Sequence, residues 1–140
     1  SIPVPFDGQT ITQLGHVSDL AEAIAKSIET DKAINQIYNC SGSKAVTFKG
    51  LIETAILATD NNVSDFKLRS FDPSKIDPKA RKLFPLRLTN FFTDISKIKK
   101  DLLWEPKIDL LNGLTDSYEN DYLLSSHNQI DFSSDEVLFD

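Results

Sequence analysis

The sequence predicts an α/β arrangement, a small α+β unit when the chain is isolated, with about four helices and two or three short strands. Three observations lead there. Apolar residues recur at helical spacing in four stretches, and β-prone runs closed by turn residues fall between them. The 140 residues are also 40% hydrophobic and 26% charged, which suits one globular core. Helices alternating with strands form layers, but with so few strands the sheet is expected to lack a neighbour on one side.

The first helix follows from Val17, Leu20, Ala21, Ile24, Ala25 and Ile28, an i, i+3, i+4, i+7 stripe. Ser18 or Asp19 is placed to cap it, and Asp19 with Glu22 has capping-box spacing, a cap worth about 1 kcal/mol. Residues 36–40, Gln-Ile-Tyr-Asn-Cys, read as a strand entering the turn Ser41-Gly42-Ser43. Thr47 caps a second helix with the stripe Phe48, Leu51, Ile52, Ala55 and Ile56, stopped by Asp60-Asn61-Asn62.

Residues 65–71 alternate, with Phe66, Leu68 and Phe71 flanked by charge, and predict a half-exposed strand. Pro73, Pro78 and Pro85 make residues 72–87 a loop with at most one helical turn. A third helix, capped by Thr93 or Asp94, turns Ile95, Ile98 and Leu102 inward and Lys97, Lys99 and Lys100 outward, and Pro106 stops it. A fourth begins near Leu110 and buries Leu110, Leu111, Leu114 and Tyr118. Residues 126–140 keep no period and read as an acidic, mobile tail.

Composition excludes several function classes. Cys40 is the one cysteine, so no internal disulfide forms, and with only His16 and His127 beside it there is no ligand set at zinc spacing. A reducing compartment fits, cytoplasm or plastid stroma. No apolar run approaches the ~20 residues of a membrane span, and the amino end lacks the pattern of a signal peptide, so no membrane partner is expected. Methionine is absent throughout, which predicts a processed or excised piece of a longer chain.

The net charge of −6 opposes indiscriminate binding to nucleic acid. That average hides a segregation: residues 1–64 carry 4 basic and 7 acidic groups, 65–100 carry 10 and 4, and 101–140 carry 1 and 10. Only the middle stretch is suited to attract an anion, unless its charges simply decorate a solvated face. The five glycines are scattered, and none forms a phosphate loop.

Four groups of residues carry a family likeness. They are Gly15-His16-Val17-Ser18-Asp19-Leu20-Ala21-Glu22-Ala23; Ile37-Tyr38-Asn39 with Gly42, Val46, Thr47 and Leu51; Asp94-Ile95-Ser96-Lys97; and Asp101-Leu102-Leu103-Trp104-Glu105-Pro106 followed by Gly113-Leu114. In that order the chain resembles the carboxy-terminal, substrate-side part of the extended short-chain dehydrogenases/reductases, the NAD-dependent epimerase/dehydratase superfamily, over about residues 11–123. Phe84-Pro85-Leu86-Arg87, Phe91-Phe92 and Leu114-Thr115-Asp116-Ser117-Tyr118 bring it nearest to an atypical branch, the chloroplast and cyanobacterial stem-loop (mRNA) binding proteins, described as RNA-binding or ribonucleolytic.

The resemblance implies a Rossmann-like fold in which residues 1–125 are the substrate-side domain. The dinucleotide loop and the Tyr-x-x-x-Lys pair would lie upstream, so no NAD(P) site is expected in this chain and no catalysis from it alone. Tyr38, Tyr118 and Tyr122 are followed four residues on by Gly42, Tyr122 and Ser126, not lysine. Two positions depart from the family. Thr12 stands where nucleotide-sugar epimerases carry a phosphate-gripping arginine, and Leu103 stands where a glycine suits a left-handed helix cap. Arg87 matches a second phosphate-side arginine.

The candidate anion or RNA contacts are therefore Arg87 first, with Arg69, Lys79, Arg81 and Lys82 around it, each weighed against an ordinary surface ion pair. His16, Asp19, Asn39, Trp104 and Pro106 are motif residues with structural roles: His16 at the helix entry, with no acid partner indicated by spacing, and Trp104 as a core plug rather than a base-stacking ring. Phe91-Phe92 is the one place where aromatic and basic residues interleave, and half of the pair is expected to face the core. Cys40 is expected to be a small buried hydrophobe. Three readings follow: an RNA-binding module, the substrate half of a nucleotide-sugar epimerase or dehydratase, and a non-catalytic protein-interaction module. All three leave apolar surface for a missing Rossmann half or for self-association.

Overall fold

A capping threonine followed by an apolar stripe at helical spacing builds the best-specified element. Thr47 Oγ1 accepts from the Gly50 amide, and helix α2 runs Phe48–Ala58 with Ile56 and Ala58 buried. The computed structural model describes residues 1–76 and 89–125. Within them the chain forms β1 (Ile2–Pro5), β2 (Ile11–Thr12), α1 (Val17–Glu29), β3 (Val46–Thr47), α2, β4 (Leu68–Phe71), α3 (Ser96–Leu102) and α4 (Leu110–Ser117), extended by a wide helical turn, Tyr118–Tyr122. The mixed α/β class and the four helices agree with the sequence.

The strands pair in two small sheets. β1 lies parallel to β4 in the register Ile2↔Leu68 to Pro5↔Phe71, and β2 lies antiparallel to β3. The predicted strand at residues 65–71 is thus confined to its second half, after a short helical turn at Val63–Asp65. β1 was not expected, because Pro3 and Pro5 lack the amide that a central strand must donate. Among the described residues it pairs on one side only, which makes the prolines tolerable. Conversely, residues 36–40 form no strand, for no described strand lies beside them and Ile37 is 87% exposed.

The core joins Ala23 of α1 to Ile98 and Leu102 of α3 around Trp104, with Ala33, Tyr38, Cys40 and Ile95 packed against it. A helical stripe need not face this core, and in α1 it does not. Val17, Leu20, Ile24 and Ile28 are exposed, whereas Asp19 and Ala23 point inward. The cap also differs from expectation: His16 Nδ1 accepts from the Ser18 amide at 3.3 Å, which leaves Asp19 and Glu22 for other partners.

α3 ends earlier than Pro106 alone requires. Leu103 adopts φ 49°, ψ 39°, a left-handed cap conformation that favours glycine, with its side chain in solvent. A Cβ in that conformation costs about 1 kcal/mol. Leu103→Gly is therefore expected to stabilise the chain by about 1 kcal/mol and raise its melting temperature by about 3–5 °C in a thermal scan. At the other end of α3, Asp94 Oδ1 accepts from the Ser96 amide at 2.8 Å, and hydrogen bonding from the Ser96 hydroxyl and then its amide holds the carboxyl below the usual carboxylate range. α4 packs against α2, with Asp109 capping it through the Asn112 amide; Leu110, Leu114 and Tyr118 are half-buried, but Leu111 is exposed.

Candidate functional site

Three regions carry the residues singled out from sequence. In the first, Asp19 is 3% exposed, yet both carboxylate oxygens are satisfied: Oδ1 accepts from the Lys107 amide at 3.0 Å and Oδ2 from the Ile108 amide at 3.1 Å. Its backbone carbonyl accepts from Trp104 Nε1 at 3.0 Å. Glu22, one turn on, holds Lys107 Nζ at 2.7 Å, and this bond keeps the ammonium pKa above its ordinary value. Asp19 and Trp104 together tie residues 104–108, with half-buried Pro106 among them, onto α1. That is structural chemistry, with no group left to act on a ligand.

The second region is a cleft of about 910 Å³ between the head of α1, residues 42–46 and α4. Gly42 forms part of its lining, where its amide donates to the Leu14 carbonyl at 2.9 Å and any Cβ would collide with that same oxygen. His16 reaches across 100 residues to Asp116, Nε2 to Oδ2 at 3.1 Å. With Nδ1 accepting from the Ser18 amide, both ring nitrogens have partners within the protein. His16 thus has an acid partner that its spacing in the sequence does not indicate. Among the described residues Asp109, Asp116 and Asp121 line the cleft against the ammonium of Lys44, a balance that repels phosphate.

The third region is the basic stretch. Arg69 is exposed on β4; Lys79, Arg81, Lys82 and Arg87 lie outside the described residues, as does the 126–140 tail. The segment after them is held firmly. Ile11 donates its amide to Asn90 Oδ1 at 2.9 Å, Phe91 donates to the Ile11 carbonyl at 2.8 Å, and Thr93 donates to Gln13 Oε1 at 2.8 Å. Thr12 is half-buried in this same region. The expectation that one phenylalanine of the pair faces the core is corrected: Phe91 and Phe92 are both exposed, because the hydrogen bonds fix the segment along β2 at the surface rather than over the core.

Other reactive groups are quiet. Burial and the nearby Asp19 charge push the Cys40 thiol up, so the thiolate is disfavoured. Burial and Asp101 likewise raise the Tyr38 phenol, opposite to the shift a catalytic tyrosine needs, and Lys97 sits over its ring at 4.9 Å. Asn39 Nδ2 donates to the Asp94 carbonyl at 3.3 Å, a tie from the unpaired segment to the start of α3. Among the described residues no three His, Cys, Asp or Glu side chains gather to hold a metal, and no helix is long and apolar enough to cross a membrane.

No family model matches the chain. Its fold is that of solved sugar-nucleotide enzymes. A UDP-glucuronic acid 4-epimerase from Bacillus cereus superposes with a TM-score of 0.66 at 18% identity, over 88% of this chain and 35% of that one. A dTDP-glucose 4,6-dehydratase from Bacillus anthracis superposes with a TM-score of 0.62 at 21% identity, over 87% and 35%. At these identities the likeness is one of fold: the chain has the fold of part of the Rossmann-like epimerases and dehydratases. In sequence it is similar to the chloroplast stem-loop binding protein of 41 kDa b of Arabidopsis thaliana, 38% identical over 138 residues, which are 98% of this chain and 36% of that protein. It thus spans about a third of the length of these relatives.

Proposed function

We propose that the chain is the substrate-side part of an RNA-binding protein of the stem-loop-binding kind, and that its basic 65–100 stretch contacts RNA phosphates. The observation that carries this reading is the 38% identity to a stem-loop binding protein across nearly the whole chain. The charge distribution supports it, since ten of the fifteen basic residues lie in that one stretch. Threonine at position 12 weakens the sugar-nucleotide alternative, because a hydroxyl gives no charge to hold a diphosphate. No nuclease residue is assigned. A plastid stroma location follows the chloroplast relative, and the cytoplasmic and cyanobacterial expectations have no such support.

In the same reading a Rossmann half covers the exposed stripe of α1 and supplies a neighbour to residues 36–40, and any dinucleotide site belongs to that half. The stripe favours this occupant: Val17, Leu20, Ile24 and Ile28 form a charge-poor apolar face of the sort that packs against protein.

The RNA reading is tested by changing Lys79, Arg81, Lys82 and Arg87 together to alanine and titrating a labelled stem-loop RNA at several salt concentrations. Loss of about four phosphate contacts would flatten the slope of log affinity against log salt by about 3 to 4. Unchanged affinity and slope would place the RNA elsewhere, and tight UDP-sugar binding lost on changing Arg87 alone would favour the epimerase-like alternative.

A further inference from the structure

We infer that Phe92 is a stacking platform for an unpaired base of bound RNA, a role that rests on the RNA reading and names the contact that distinguishes looped from paired strands. Phe92 is 63% exposed, although a ring of this size gains free energy by leaving water. Its backbone is pinned on both sides, by the Phe91 amide on the Ile11 carbonyl and by the Thr93 amide on Gln13 Oε1. Thr93 is fixed further by its hydroxyl, 2.9 Å from that of Ser41. The ring is thus presented from a held segment, so little ordering is required when a base meets it.

Charge separates Phe92 from the exposed apolar stripe of α1. The α1 stripe is aliphatic and carries few cations, which suits a protein seam. Phe92 is an aromatic ring within a stretch of 10 basic and 4 acidic residues, the combination of π-face and cation that single-stranded nucleic acid uses. The acidic cleft beside His16 offers no competing anion site.

The test uses the full chain with a fluorescein-labelled stem-loop RNA and a fully paired duplex of the same stem. Phe92→Ala is expected to weaken stem-loop binding by about 5- to 100-fold, with the duplex affinity and the salt slope unchanged. Phe92→Trp should bind the stem-loop at least as well as the parent, whereas Phe92→Leu, which keeps apolar bulk and loses the ring, should behave like alanine. Leucine behaving like phenylalanine would overturn stacking and make the position a protein contact. A silent Phe92→Ala, or equal loss of both RNAs, would also overturn it while leaving the RNA reading standing. Failure of the parent chain to bind either RNA would remove both.

Discussion

Replacing Trp104 with alanine is expected to lower the unfolding free energy by about 4 kcal/mol, the range for truncating a fully buried aromatic. The indole is 1% exposed and is the centre about which Ala23, Ile98 and Leu102 meet, so its removal opens a cavity between α1 and α3. Its Nε1 also satisfies the Asp19 carbonyl at 3.0 Å, and that acceptor would be left without its donor. Trp104→Phe separates the two contributions: it retains most of the apolar volume and should cost about half as much. Because Trp104 is the single tryptophan, the unfolding curve has to be followed by circular dichroism in urea rather than by its fluorescence. A loss below about 1 kcal/mol would mean that the core is not organised around the indole.

Asp19→Asn should follow closely, with a loss of about 3 kcal/mol. A carboxylate accepts at both oxygens, and both are used here, by the amides of Lys107 and Ile108. An amide side chain turns one acceptor into a donor aimed at an N–H, in a site that is 3% exposed. The charge near the amino end of α1 is lost as well, which removes a favourable interaction with the helix dipole. A shift of the urea midpoint with an unchanged slope is expected. Stability equal to that of the parent would show that the 104–108 segment holds to α1 without this carboxylate.

These two residues illustrate what sequence made legible. Trp104 was readable as a plug because an indole among leucines and a proline has few other uses. Asp19 is a motif residue whose spacing to Glu22 fits a capping box equally well; only the fold brings Lys107 and Ile108 to it. The helices α1, α2, α3 and α4 follow from periodicity and local chemistry, most cleanly where Thr47 bonds Gly50. Periodicity says that a helix has an apolar face, not what covers it, and so the α1 stripe gave no warning that Asp19 and Ala23 would be the inward pair.

Strands were harder for a related reason. Residues 36–40 have the composition of a strand, but a strand exists only when another lies beside it, and Pro3 and Pro5 concealed one that did find a partner. The tie between His16 and Asp116 spans 100 residues and leaves no trace in spacing. Leu103 was the reverse case: the resemblance placed a left-handed turn there, and the backbone adopts it despite the side chain.

The relationship to a stem-loop binding protein is best tested by titrating a stem-loop RNA against the unaltered chain at about 50 and about 200 mM salt. Four phosphate contacts predict that affinity falls by about 50- to 150-fold between the two. No binding at the lower concentration, or binding indifferent to salt, would contradict a role for the basic stretch in holding RNA.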